Sequence, residues 1–155
     1  MLEYLQEYSY KSEVSPDHFT HMTDWLLNWR RRDPDMSFSL VLIDFKDPTA
    51  LGNALGAKYA MDLLKRVTSE INGALRTTDL LCRTRISCFW VLLMKSEPAI
   101  VLNKLEPILS AARQDGMGAS QLQIDTILVP RDVADDVTAT ELFMHLQTHN
   151  AKGGA

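Results

Sequence analysis

At 155 residues, with 46% hydrophobic and 23% charged side chains, the chain is one globular domain long enough to bury a full core. A net charge of −4 gives no basic field to hold a nucleic-acid polymer or an anionic membrane surface, and no apolar run reaches the length of a membrane span. The two cysteines and four histidines have neither disulfide-framework nor metal-ligand spacing, so no cofactor is implied and a reducing cytoplasm is expected.

Residues 1–11 are tyrosine-rich, with weak helical spacing of Leu2, Leu5 and Tyr8, and they lack the basic and apolar regions of a secretion signal. Residues 1–14 are read as an N-terminal segment or linker, 15–150 as the domain, and 151–155 as a loose tail. Ser15-Pro16-Asp17 starts the first helix as cap, first-turn proline and first-turn acid, and Phe19, Met22, Leu26 and Trp29 mark one face. Arg30, Arg31 and Arg32 close its last turn, where cations suit the helix dipole; a solvated turn is preferred here over a phosphate site. Asp33-Pro34 stops the helix.

Residues 38–43 form a continuous apolar strand ending at Asp44. Asp47-Pro48 opens a second helical region whose first turns Gly52 and Gly56 are expected to break. Ala60, Leu64, Val67, Ile71 and Leu75 then hold one stripe up to Arg76. Residues 79–84 and 88–94 read as two buried strands joined by a tight tip, with Phe89, Trp90 and Val91 buried on alternate faces. A two-residue loop would pair Cys82 with Phe89, and a three-residue loop would set Cys82 against Cys88. Two buried, reduced cysteines are preferred to a bridge. Ser96-Glu97-Pro98 starts a third helix, with Val101, Leu105, Ile108, Leu109 and Ala112 inward, ending at Asp115-Gly116. Residues 121–129 are a fourth strand, and Thr138 with Glu141 is a capping box opening a last helix through Leu142, Phe143 and Leu146. Without the first and last helices the order is β-α-β-β-α-β. That is an α+β, ferredoxin-like split with an antiparallel sheet and its two helices on one face.

Asp44 closes the first strand, Arg76 ends the long helix, Asp79 follows three residues on, and Arg83 and Phe89 stand in the same gapless register from 44 to 89. In that register the chain resembles the GGDEF, or diguanylate cyclase, family, with Arg83 preceding the signature and Phe89 matching its last residue. The resemblance spans roughly 15–147 and is strongest over about 38–94. The signature itself is replaced by Arg85-Ile86-Ser87-Cys88-Phe89. In the family its glycines let the backbone approach the nucleotide phosphates and its acids serve metal and proton chemistry. Arg85 and Ile86 fill that space, and Ser87 and Cys88 bring no carboxylate. Asp44 is left as a vestigial metal position. The family's guanine-contacting asparagine and aspartate fall on Gly52 and Met61, while Asn53 and Asp62 lie one residue off, about 100° round a helix. Gly56 keeps the family's helix-start glycine, but its histidine neighbour is Ala57, and the phosphate-binding lysine does not align with Lys152. The resemblance therefore implies a catalytically inactive, degenerate domain.

It also implies a product site. Many members carry R-x-x-D before the second strand, where cyclic di-GMP binds, and Arg76-Thr77-Thr78-Asp79 stands there. A guanidinium fork suits a guanine edge or a phosphate, and a carboxylate can accept guanine N–H groups. Both residues are expected on an exposed turn, with Lys104 or Arg113 as candidates for a third cation, although the best-aligned positions are Glu106 and Pro107. The same motif recurs at Arg30–Asp33 and Arg32–Asp35, out of place. Two readings follow: a cyclic di-GMP receptor module of a bacterial signalling protein, or an interaction or dimerisation domain that binds no nucleotide, with a second copy or another signalling domain as partner.

Overall fold

Local chemistry sets the helix starts. The computed structural model describes residues 13–85, 87–95, 98–116 and 121–153. Helix α1 (Pro16–Arg32) opens with the Ser15 hydroxyl accepting from the His18 amide at 3.2 Å. Strand β1 (Phe38–Lys46) runs two residues beyond Asp44. Asp47 then caps α2 (Pro48–Leu55) by accepting from the Ala50 amide at 2.9 Å. Gly52 lies inside α2 without interrupting it, because one glycine weakens a helix without forbidding it. The break falls at Gly56 alone, whose φ of 86° is left-handed, and α3 (Ala57–Ala74) starts there. Strands β2 (Leu80–Arg85) and β3 (Cys88–Met94) form the hairpin. Helix α4 (Pro98–Gln114), strand β4 (Gln121–Val129) and helix α5 (Ala139–Gly153) follow. Half of the capping box of α5 is formed: the Glu141 amide donates to the Thr138 hydroxyl at 3.2 Å, while the Glu141 carboxylate accepts from that hydroxyl at 3.1 Å. The helix runs three residues into the stretch read as a tail. Residues 1–12, Ile86, Ser96 and Glu97, and the side chains of Val101 and Lys152, lie outside the described residues.

The four strands lie in the order β2-β3-β1-β4, every neighbour antiparallel, which is the ferredoxin-like arrangement. Alternation along β1 and β3 divides the core in two. Val41, Ile43, Phe45, Phe89, Val91 and Leu93 meet Leu64, Val67 and Ile71 of α3 and Leu105 and Leu109 of α4. Leu40, Leu42, Cys82, Trp90 and Leu92 meet Phe19, Leu26 and Leu27 of α1 and Leu142 and Leu146 of α5. The two helices of the split thus share one face, as expected, and the first and last helices cover the other. Because both faces are covered, β3 and residues 40–43 of β1 read as unbroken apolar runs. Trp90 falls on the opposite face from Phe89 and Val91, all three buried. Among the described residues, no helix is long and apolar enough to cross a membrane.

The hairpin tip follows neither simple loop. Cys82 pairs with Trp90 and Arg83 with Phe89, but Arg85 pairs with Cys88, so the ladder shifts between Arg83 and Arg85. That bulge corrects both cysteine registers considered above. The two thiols are free, buried and part of the same cluster. Burial, aided by the Glu13 carboxylate, pushes the Cys82 thiol up to about 11, and burial also raises Cys88. At neutral pH almost none of either is thiolate, the reactive form. Ellman's reagent should therefore label neither cysteine in the native protein during the minutes in which urea-unfolded protein labels both. Rapid native labelling would contradict the packing.

Candidate functional site

Two places in this frame hold the residues singled out from the sequence. The first is the hairpin tip. Asp44 lies opposite Cys88 across β1 and β3, and Cys88 lies opposite Arg85 across β3 and β2, so the three occupy one row. The ladder is extended at the tip by the Phe45 amide donating to the Ser87 carbonyl at 2.9 Å. A cleft of about 580 Å³ opens here, with Asp44, Lys46, Arg85, Ser87 and Gln147 in its lining. The row brings the Arg85 guanidinium to 3.5 Å from the nearly buried Asp44 carboxylate. Arg85, read from the sequence only as filling space, is therefore paired with Asp44. Among the described residues no group of three or more His, Cys, Asp or Glu side chains is placed to hold a metal ion.

A nucleotide with its divalent ion does not fit this residue set. The ion would need hard oxygen ligands around Asp44, but the side chains in its row are the Arg85 guanidinium and the Cys88 thiol, and the cleft's other carboxylate, Asp47, caps α2 through the Ala50 amide. The positions expected to read a guanine base fare no better. Gly52 carries no side chain, Met61 is an exposed thioether, and Asn53 and Asp62 point to solvent from neighbouring helical positions.

The second place is the turn between α3 and β2. The Asp79 amide donates to the Arg76 carbonyl at 3.0 Å, closing a four-residue turn. The Asp79 carboxylate accepts from the Arg76 amide at 2.9 Å, from Arg76 Nε and Nη2 at 3.2 Å each, and from the Met94 amide at 3.2 Å. Arg76 Nη2 also donates to the Met94 carbonyl. The motif thus spans the end of α3, the start of β2 and the end of β3. Its two members differ in access: the Arg76 side chain is 44% exposed, that of Asp79 only 1%. The expectation that both lie exposed on the turn is corrected for Asp79. A carboxylate in contact with four internal donors is drawn inward, and Met94, fifteen residues away, was not legible as one of them. Lys104 and Arg113 both lie exposed on α4, and Arg113 is drawn to Glu106 at 3.6 Å.

Two further arginine sets have structural work. Arg31 donates to the carbonyls of Asp135 at 2.7 Å and Val137 at 3.1 Å, and Arg30 pairs with Asp135 at 3.1 Å. Of the triplet read as a solvated turn, Arg30 and Arg31 therefore strap the loop leading into α5, while Arg32 stays exposed. Arg83 reaches Glu13 at 2.7 Å, while the Val14 amide donates to the Leu81 carbonyl at 2.8 Å, tying the approach to α1 along β2.

Neither protein-family models nor curated proteins match the sequence. Solved structures do. The GGDEF domain of PA1120 (YfiN or TpbB) from Pseudomonas aeruginosa superposes with a TM-score of 0.70 at 24% identity, over 94% of this chain and 93% of that one. The GGDEF domain of DgcB from Caulobacter crescentus, solved in complex with c-di-GMP, gives 0.70 at 12% identity, over 92% and 86%. The chain has the GGDEF fold. The FimX GGDEF domain from Pseudomonas aeruginosa agrees, at 0.63 and 17% identity over 84% and 82% of the two chains. At these identities the likeness concerns the fold. In this fold the tip of the β2–β3 hairpin carries Arg85 against Asp44.

Proposed function

We propose that this chain is a non-catalytic GGDEF-type domain that receives cyclic di-GMP at the turn between α3 and β2, as a regulatory module in the cytoplasm of a bacterial cell. The observation that carries the reading is the Arg76 guanidinium: half exposed, and held in one plane at the turn by Asp79 and Met94. A planar fork fixed in this way suits a guanine edge or a phosphate. The solved DgcB domain of the same fold, in complex with c-di-GMP, supports the choice of ligand. At the tip, the pairing of Asp44 with Arg85 supports the absence of cyclase chemistry.

A second reading, an interaction or dimerisation domain without nucleotide, draws on the inward turn of Asp79 and on Trp25 and Trp29, two exposed rings of α1 that pack at a tilt with centroids 5.1 Å apart. Calorimetric titration separates the two. Wild type is expected to bind cyclic di-GMP at micromolar strength, about −8 kcal/mol. Arg76→Ala should weaken binding about tenfold or more through loss of charge-assisted hydrogen bonds. Arg30→Ala and Arg32→Ala, in the two misplaced motifs, should leave affinity unchanged. Wild type without binding at high micromolar ligand would favour the interaction domain, and its self-association would then be read by sedimentation.

A further inference from the structure

We propose that a second copy of this chain pairs antiparallel with the outer edge of β4, across a two-fold axis at Ile124, whether or not the α3–β2 turn takes a nucleotide. Two contacts fix which way the backbone groups of β4 point. Leu128 turns away from β1: its amide donates to the Asp132 carboxylate at 2.9 Å, and its carbonyl accepts from the Asp132 amide at 2.8 Å. In an antiparallel ladder alternate residues point their N–H and C=O groups to the same side, so Leu122, Ile124 and Thr126 also point outward. Strand β1 gives the same answer. The Phe45 amide donates to the Ser87 carbonyl, which turns Phe45, Ile43 and Val41 toward β3, and these are the residues opposite Leu122, Ile124 and Thr126.

The two edges of the sheet are finished differently. Beside β2, the Val14 amide donates to the Leu81 carbonyl. Beside β4, Asp132 closes the edge only at Leu128, and among the described residues nothing bonds the outward groups of Leu122, Ile124 and Thr126. Such a row is a template for another strand. An inward-pointing charge deters pairing at an edge, and the half-buried Asp125 stands in the middle of this one. It deters only some registers. An axis at Asp125 sets two carboxylates face to face. An axis at Ile124 pairs Ile124 with its own copy and Leu122 with Thr126, each a hydrogen-bonded pair that exchanges both N–H···O bonds. The same axis sets Gln123 opposite Asp125 twice, in the non-hydrogen-bonded pairs where side chains approach most closely. There the Gln123 amide is a donor and the Asp125 carboxylate an acceptor. Leu122 and Ile124, only partly buried against the core beneath α3 and α4, gain further cover. Five paired residues a side bury less than the roughly 1,200 Å² of a standard interface, so the association is weak and concentration-dependent.

Sedimentation equilibrium of the full chain should show monomer and dimer exchanging between about 10 μM and about 1 mM. Over that range, hydrogen exchange of the Leu122, Ile124 and Thr126 amides should slow about fivefold or more, while the Leu128 amide, held by Asp132, keeps one rate. Gln123→Glu sets carboxylate against carboxylate in both polar pairs and should leave monomer at about 1 mM. Adding Asp125→Asn should restore the dimer, because donor and acceptor have then changed places. Thermal melting by circular dichroism checks that each variant is folded. A wild-type chain that stays monomeric at about 1 mM, or a dimer whose Leu122, Ile124 and Thr126 amides exchange at monomer rates, would overturn the proposal. Dimerisation unchanged in folded Gln123→Glu would overturn the register at Ile124. If the chain is monomeric but a synthetic peptide of residues 121–127 slows the same amides, the edge receives a foreign strand and the second copy is excluded.

Discussion

Asp79→Ala should lower the unfolding free energy by about 2–4 kcal/mol. The side chain is buried and its carboxylate accepts from two backbone amides, those of Arg76 and Met94, as well as from the Arg76 guanidinium. Removing it leaves both amides without that acceptor, and each such loss costs about 1–3 kcal/mol where water cannot replace it. The guanidinium contributes less to the loss, because Arg76 is half exposed and can turn to solvent. Arg76→Ala should accordingly cost less than Asp79→Ala, although the two form one ion pair. Urea denaturation checks both: the midpoint should fall sharply for Asp79→Ala, with little change in slope. Equal effects, or a negligible effect for Asp79→Ala, would mean that the carboxylate does not hold the strand end.

Incubation with GTP and magnesium or manganese should yield no cyclic di-GMP. Asp44 faces Arg85 at 3.5 Å, Ser87 and Cys88 supply no carboxylate to complete an oxygen shell, and Asp47, which also lines the cleft, is engaged in capping α2. Arg85 also carries positive charge to where a divalent cation would sit. Restoring Gly-Gly-Asp-Glu at residues 85–88 should not create activity, because Gly52 and Met61 still offer no hydrogen bond to a guanine base. Product formation that disappears in Asp44→Ala, in wild type or in the restored tip, would overturn the assignment of an inactive cleft.

Much of the fold was legible because its signals are local. Ser15, Asp47 and the Thr138–Glu141 pair mark helix starts by caps that depend on a few neighbouring residues, and the stripe from Ala60 to Leu75 records one buried face. The apolar runs of β1 and β3 marked strands covered on both faces. What stayed hidden was set by register or by distant contact. The bulge between Arg83 and Arg85 places Cys82 opposite Trp90, a result no simple loop count gives. Gly52 and Gly56 look alike in sequence, but only Gly56 takes a left-handed φ. The site shows the same division. Arg76 and Asp79 could be found by register with a family pattern, but the depth of Asp79 depends on the Met94 amide, which only strand pairing brings near. The Asp44–Arg85 pair was recoverable in principle, since both residues lie opposite Cys88 once the two ladders are fixed.

The most direct measurement is to follow backbone amide resonances of the ¹⁵N-labelled chain as cyclic di-GMP is added. The expected result is saturable shifts at Arg76, Thr77 and Asp79 and across the turn at Met94 and Lys95, with the signals of Asp44, Lys46, Thr84 and Cys88 left in place. Shifts confined to the hairpin-tip cleft, or none at all at high micromolar ligand, would contradict the assignment of the α3–β2 turn as the ligand site.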